Sequence, residues 1–283
     1  MRVTKKPKLF NRFSSNKISN SEEDSSTWLL YDKGQVLWRC EECKKLPNAY
    51  GLTILYAMSI DSNISLIKTI ADAGLHLEAS CLDEVTLANL AGVPYKKVRL
   101  TTQKVYDGEE FEQLKSLLLE GLKYNICSIE QLYQIGDFAC KNFIDPGIII
   151  RSDTFPGEEN PSNIADSNES FGIAFAELDE MLKYAWGRWL KFNHVNFDSG
   201  PYFESPPQTV DFELGLIAKF FKETNSVRFS AKLCDKNNSG ESSAQIAEFG
   251  NYAKKQIKAF NKKHKRKLKL EAEFGKYILA NKI

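Results

Sequence analysis

The chain has 283 residues, 42% hydrophobic and 27% charged, which is the composition of a soluble globular protein with one large domain or two small ones. Its 38 Lys and Arg nearly cancel 37 Asp and Glu, and a net charge of +1 excludes steering toward a partner by global charge. No apolar run is long enough to span a bilayer, and the opening MRVTKKPKLFNRFSSNKISN lacks the apolar centre of a secretion signal, so a cytoplasmic protein with no membrane partner is expected.

Residues 1–27 are rich in Lys, Ser, Asn and Glu. They bury too little apolar surface to offset the entropy of ordering, so a flexible tail is expected there, with one folded domain over 28–283. From Trp28 onward, short β-favouring runs alternate with stretches whose apolar residues recur every three or four positions. Strands are predicted at 52–58, 75–80, 98–102, 124–127, 148–151, 192–197, 226–231 and 268–273. The first intervening helix places Ile64, Ile67 and Ala71 on one face, with Ser62 as N-cap and Gly74 as its stop. Helices at 83–91 and 109–120 end at Gly92 and Gly121, and others follow at 129–139, 175–186, 210–222 and 244–263.

Every strand but the last is followed by a helix, a rhythm that demands parallel strands joined by crossover helices. Eight such units predict an α/β fold closed as a parallel (β/α)8 barrel of the TIM type. A doubly wound open sheet is the alternative, but no GxGxxG follows an early strand. Barrel chemistry collects where strands end, which here means Ser59 and the stretches 78–80, 101–103, 127–128, 151–153, 196–200, 230–232 and 273–275.

The segments WLLYDKGQV, LYAMSIDSNISLIKTIADAGLHLEAS, DEVTLANLAGVPYKKVRLTTQ, YNICSIEQL, ESFGI and LEAEFGKYILAN occur in this order from Trp28 to Asn281. As an ordered set they resemble the barrel domain of the pyridoxal-phosphate (PLP) decarboxylases of the alanine-racemase-like fold, most of all the diaminopimelate decarboxylases. The resemblance implies a PLP-binding barrel, pyridoxal phosphate as cofactor and a carboxy-lyase activity of the lysine or polyamine pathways. The implied substrate is an amino acid with a second charged group, such as meso-diaminopimelate.

The residues that hold the cofactor depart from that pattern. The family's first strand ends in a motif like YAMKANPN, whose lysine forms the Schiff base; here the motif reads YAMSIDSN and the position is Ser59, whose hydroxyl forms no imine. The family's HTHIGSG is matched by NFDSGPY, which places Asp198 at the stacking histidine, Gly200 at the glycine and Pro201 at the serine. The family's phosphate-binding GGG is matched by Ser230, Ala231 and Lys232, whose side chains intrude where backbone amides approach an anion. EPG is matched by EFG, keeping Glu273 for the pyridine nitrogen, and Gly275. Arg151 matches an arginine of the fifth strand, and Glu78 stands where an aspartate is usual. The family's C-terminal β-domain is expected to be absent.

Because these losses meet at one cofactor, the first reading is an inactive or impaired homologue kept for binding or regulation. An active decarboxylase with a rebuilt site is the alternative, with Lys104 or Lys232 supplying the amine, although both read more simply as solvated loop lysines. A barrel-only PLP carrier is a third reading, but that class keeps the lysine too. Glu273 needs a basic partner, for which Lys276 or Arg151 are the candidates. A homodimer or a regulatory protein is the expected partner.

Other features read as structural. Cys40 and Cys43 form a lone CxxC without a second pair at zinc spacing, and are read as helix-surface thiols. Cys81, Cys127 and Cys234 fall near strand ends. His76, His194 and His264 have no metal-ligand spacing, so no metal is expected. The run KKQIKAFNKKHKRKLK is basic, but Ile246, Phe249, Ala253, Ile257 and Phe260 mark a barrel helix with a solvated outer face, so no nucleic acid is expected.

Overall fold

The computed structural model describes residues 12–15, 29–151, 172–198, 207–230 and 243–279. In chain order the described elements are β1 (Arg12–Ser15), β2 (Leu29–Asp32), α1 (Lys33–Lys44), β3 (Leu52–Ala57), α2 (Ile64–Asp72), β4 (His76–Ala79), α3 (Leu82–Leu90), β5 (Val98–Thr101) and α4 (Gly108–Leu119). They continue as β6 (Lys123–Ile126), α5 (Ile129–Lys141), β7 (Gly147–Arg151), α6 (Leu178–Gly187), β8 (His194–Asp198), α7 (Pro207–Phe220), β9 (Ser226–Arg228), α8 (Ser243–His264) and β10 (Lys269–Glu273). Strands β3 to β10 close into one barrel in sequential order, β10 pairing with β3, and every pair is parallel. The eight predicted strands are all present, and the open doubly wound alternative is excluded by the β10–β3 pairing.

Outside the barrel, β1 pairs antiparallel with β2, placing a strand within the stretch read as a tail. Helix α1 follows directly, capped by the Asp32 carboxylate, which accepts from the Gly34 and Gln35 amides. Cys40 and Cys43 correct the surface-thiol reading: both are fully buried in the core cluster beneath α1. Burial pushes the Cys40 thiol up to about 12, so it remains a thiol and packs as a small hydrophobe. Helix α2 starts one residue later than the sequence suggests: the Asn63 side chain, not Ser62, accepts from the Ser65 and Leu66 amides.

The apolar core lies between sheet and helices rather than inside the barrel. In β4, β5 and β6, Leu77, Ala79, Val98, Leu100, Tyr124 and Ile126 are buried against the helix layer. The alternate residues, Glu78, Arg99, Thr101 and Asn125, point the other way, into the lumen, as period-2 alternation requires. The same alternation places His194 and Asn196 of β8, Arg228 of β9 and Glu271 and Glu273 of β10 inside. Parallel strands buried on both faces ordinarily read as unbroken apolar runs. These strands are apolar on one face and charged on the other.

A glycine makes the interior possible. A Cβ on Gly147 of β7 would lie 2.1 Å from Asn125 Oδ1 and 3.2 Å from Arg99 Nη1, so a side chain there would collide with the polar layer.

Candidate functional site

The lumen holds a continuous set of ion pairs. Arg99 donates to Glu271 Oε2 at 2.6 Å and to Asn125 Oδ1 at 3.0 Å. Arg228 donates from Nη1 to Glu78 Oε2 at 2.7 Å and from Nη2 to Glu271 Oε1 at 3.0 Å. Thr101 donates its hydroxyl to Glu78 Oε1 at 2.7 Å and accepts from Asn125 Nδ2 at 2.9 Å. Two guanidinium groups therefore meet two buried carboxylates, the arrangement a low-dielectric interior requires. Burial alone would favour loss of the Arg228 proton, but the carboxylates of Glu78, Glu271 and Glu273 outweigh it and hold the pKa above the ordinary arginine range.

His194 closes the bottom of the network. Its Nδ1 lies 2.9 Å from Ser226 Oγ, and its Nε2 is 3.1 Å from Glu271 Oε1 but off the line of a hydrogen bond. Burial first, then Arg99 and Arg228, push the imidazole well below its usual value, so it stays neutral. His194 is thus part of the lumen network.

Above this layer opens a cavity of about 460 Å³ at the C-terminal ends of the strands. Ser59, Glu78, Asp198, Glu273 and Gly275 all line it, together with Arg228, Ser230 and Lys276. Ser59 is exposed in the turn after β3, a turn held by Asp61. The Asp61 carboxylate accepts from Tyr31 Oη at 2.8 Å, and its carbonyl accepts from Tyr56 Oη at 2.8 Å. Glu273 lies 3.8 Å from the Arg228 guanidinium. Arg151 ends β7 in register with Asp198 and is not among the residues lining the cavity. Gly200, Ala231, Lys232, Pro201 and Cys234 lie outside the described residues.

Behind the wall, Glu213 of α7 is fully buried, with one oxygen accepting from the Ser230 amide at 3.3 Å and the other without a partner. Burial pushes its carboxyl up to about 8, against the pull of the Ser230 hydrogen bonds. Lys104 does not line the cavity; it pairs at the surface with Glu110 at 2.6 Å. Cys127 is buried, its thiol pushed up to about 12 by burial. Among the described residues no group of three or more His, Cys, Asp or Glu side chains could hold a metal ion.

The described residues do not fit PLP held as an aldimine at position 59. Ser59 brings no amine, and the carboxylate that would meet the pyridine nitrogen already faces a buried guanidinium. Gly275 packs so closely on the turn after β3 that a Cβ there would lie 2.6 Å from Ile60 Cδ1.

Of the residues singled out in the sequence, Ser59, Glu78, Asp198, Glu273 and Gly275 line the cavity, whereas the lumen network of Arg99, Asn125, His194, Arg228 and Glu271 was not anticipated. The signal was present as VRL, YNI, HVNF, VRF and LEAE, polar residues at alternate positions of otherwise apolar strands.

A closed parallel barrel with its cavity at the strand ends is a fold shared with several solved amino-acid decarboxylases. The solved structures it is similar to include the arginine decarboxylase of Paramecium bursaria Chlorella virus, at 16% identity and TM-score 0.65, covering 87% of this chain and 63% of that one. Diaminopimelate decarboxylase from M. jannaschii in complex with L-lysine aligns at 15% identity and TM-score 0.64, covering 88% and 60%. Ornithine decarboxylase from Entamoeba histolytica aligns at 18% identity and TM-score 0.58, covering 87% and 64%. This chain spans less than two thirds of each, and at such identities the likeness is one of fold. No family model and no curated protein matches the chain. No described helix is long and apolar enough to cross a membrane.

Proposed function

We propose that this chain is a decarboxylase-type PLP barrel that no longer performs PLP chemistry and uses its cavity to bind an amine-bearing small molecule non-covalently. The observation that carries the reading is Ser59 on the cavity wall above a lumen whose carboxylates are already paired with Arg228 and Arg99. An aldehyde cofactor needs a lysine to hold it and a free carboxylate to tune it. The cavity offers hydroxyls from Ser59, Ser80, Thr101 and Ser230, and more carboxylate than cationic side chains. That balance favours a cation, and structures with this fold have been solved with L-lysine, agmatine and putrescine.

Calorimetric titration with L-lysine and putrescine tests the reading. Saturable binding that Glu273→Gln weakens at least tenfold is expected. Decarboxylation of ornithine, arginine, lysine or diaminopimelate in the presence of PLP would overturn it. Ser59→Lys alone is expected to leave decarboxylation absent, and measurable turnover in that variant would show that the losses do not act together.

A further inference from the structure

The outer face of α8 carries a charge distribution that the cavity does not use. Seven lysines and Arg266 fall between positions 254 and 267, with no Asp or Glu from 249 to 270. Eight of the 38 basic residues of a chain with net charge +1 are thus concentrated in one stretch, and the remainder is net negative by seven. Lys254, Lys258 and Lys262 follow one another at intervals of four and share one side of the helix, flanked by Lys255 and Lys263; all five are exposed. The opposite side, Ala253, Ile257 and Phe260, is buried against the barrel.

Elsewhere on the surface, five lysines of the described helices and their flanks have carboxylates within 4 Å, whereas Lys141, Lys183 and Lys219 form no ion pair with a described residue. Lys44 meets Glu41, Lys45 meets Glu42, Lys68 meets Asp72, Lys104 meets Glu110 and Lys115 meets Glu112. None of the α8 lysines forms an ion pair with a described residue. Like charges four apart on a helix repel, so the arrangement is unfavourable to the isolated chain and is relieved by an external anion. A solvated barrel helix accounts for the apolar spacing, but it leaves the exclusion of every carboxylate from 22 consecutive positions without a physical role.

We infer that this face binds the phosphate backbone of nucleic acid without reading its sequence. A row from Lys254 to Lys263 runs about 14 Å along the helix, beside which a duplex presents about eight phosphate charges. A stereospecific protein partner is disfavoured, because such interfaces deplete lysine and rely on aromatic and arginine anchors, and the face exposes no large apolar side chain. Insertion into a membrane is disfavoured because the apolar side of α8 is already committed to the barrel. Lysine, a flexible point charge, suits phosphates contacted without fixed register.

The test is fluorescence anisotropy of a short labelled DNA duplex of mixed sequence, titrated with the full chain across a salt series. Five lysine–phosphate contacts predict a slope of log K against log salt of about −4 to −5. The triple change Lys254→Glu, Lys258→Glu and Lys262→Glu is expected to weaken binding at least tenfold and flatten the slope by about 3. The corresponding triple Gln variant gives an intermediate loss, and Lys68→Glu on α2 leaves binding within twofold. Circular dichroism and thermal unfolding confirm that each variant is folded. No binding at low salt overturns the inference, as does binding that the triple variants retain, or an equal loss in Lys68→Glu. Tighter binding to phosphatidylserine vesicles than to the duplex, lost in the same triple variants, overturns it in favour of a membrane surface.

Discussion

The lumen of the barrel and the outer face of α8 use the same chemical groups under opposite rules. In the lumen each buried guanidinium has a carboxylate within 3.0 Å, and each of the two buried carboxylates is held by at least one guanidinium. On α8 the lysine ammonium groups are exposed and form no ion pair with a described residue. Removing a charge from water costs several kcal/mol unless it is paired, whereas an exposed charge loses little by being alone. The interior is therefore tightly specified and intolerant of single changes. The exterior is free to carry a one-signed field that serves something outside the molecule.

The comparison breaks most visibly at Arg228. Arg228→Met strands Glu78 in the lumen, leaves Glu271 with Arg99 alone, and is expected to cost about 3–5 kcal/mol of unfolding free energy in denaturant titrations. Adding Glu78→Gln to that variant is expected to cost less than the sum of the two single changes, because the carboxylate left stranded is the one removed. Full additivity would show that the network is not coupled.

Gly147→Ala tests whether the interior has room to adjust. The new methyl meets Asn125 and Arg99, so a loss of about 1–3 kcal/mol is expected, with a wild-type-like stability as the contrary result.

Glu213 connects the comparison to pH. Its folded-state pKa of about 8 lies above the ordinary 4.5, so between these values the folded chain binds the proton that the unfolded chain has released. Its contribution is fully present at the acid end and is lost as pH rises toward about 8, at up to about 1.4 kcal/mol per pH unit. Glu213→Gln keeps an acceptor for the Ser230 amide and removes the titration. The difference in stability between wild type and variant should therefore change between pH 5 and about 8, and a constant difference would show that Glu213 is ionised throughout.

The smallest effect is expected on α8. Lys258→Gln relieves repulsion from Lys254 and Lys262 and should raise stability by a few tenths of a kcal/mol. A loss of more than about 1 kcal/mol would mean that the lysine has a structural partner.

The same contrast explains what was legible in the sequence. Strand and helix positions followed from apolar periodicity, because the core between sheet and helices obeys it: the run at 98–102 is β5, and the run at 129–139 is most of α5. The barrel followed from counting eight alternations. The rim of the cavity, Ser59, Glu78, Asp198, Glu273 and Gly275, followed from motif order and the rule that barrel chemistry sits at strand ends. The lumen network did not follow, because pairing Arg99 with Glu271 or Arg228 with Glu78 depends on closure of the barrel across 172 and 150 positions of chain. CEEC read as polar surface because its glutamates are polar, whereas both cysteines turn inward beneath α1. Glu213 was invisible for a related reason: within an amphipathic helix a glutamate reads as solvent-facing, and only the fold brings it to the Ser230 amide.

The central claim, a PLP barrel that has left PLP chemistry, meets its most direct test in one measurement. The protein is equilibrated with stoichiometric PLP, reduced with borohydride, dialysed, weighed intact by mass spectrometry and mapped by peptide. The account predicts no adduct beyond traces scattered over exposed lysines. A single stoichiometric adduct on Lys276 or Lys232 would contradict it, showing that another amine has taken over from position 59.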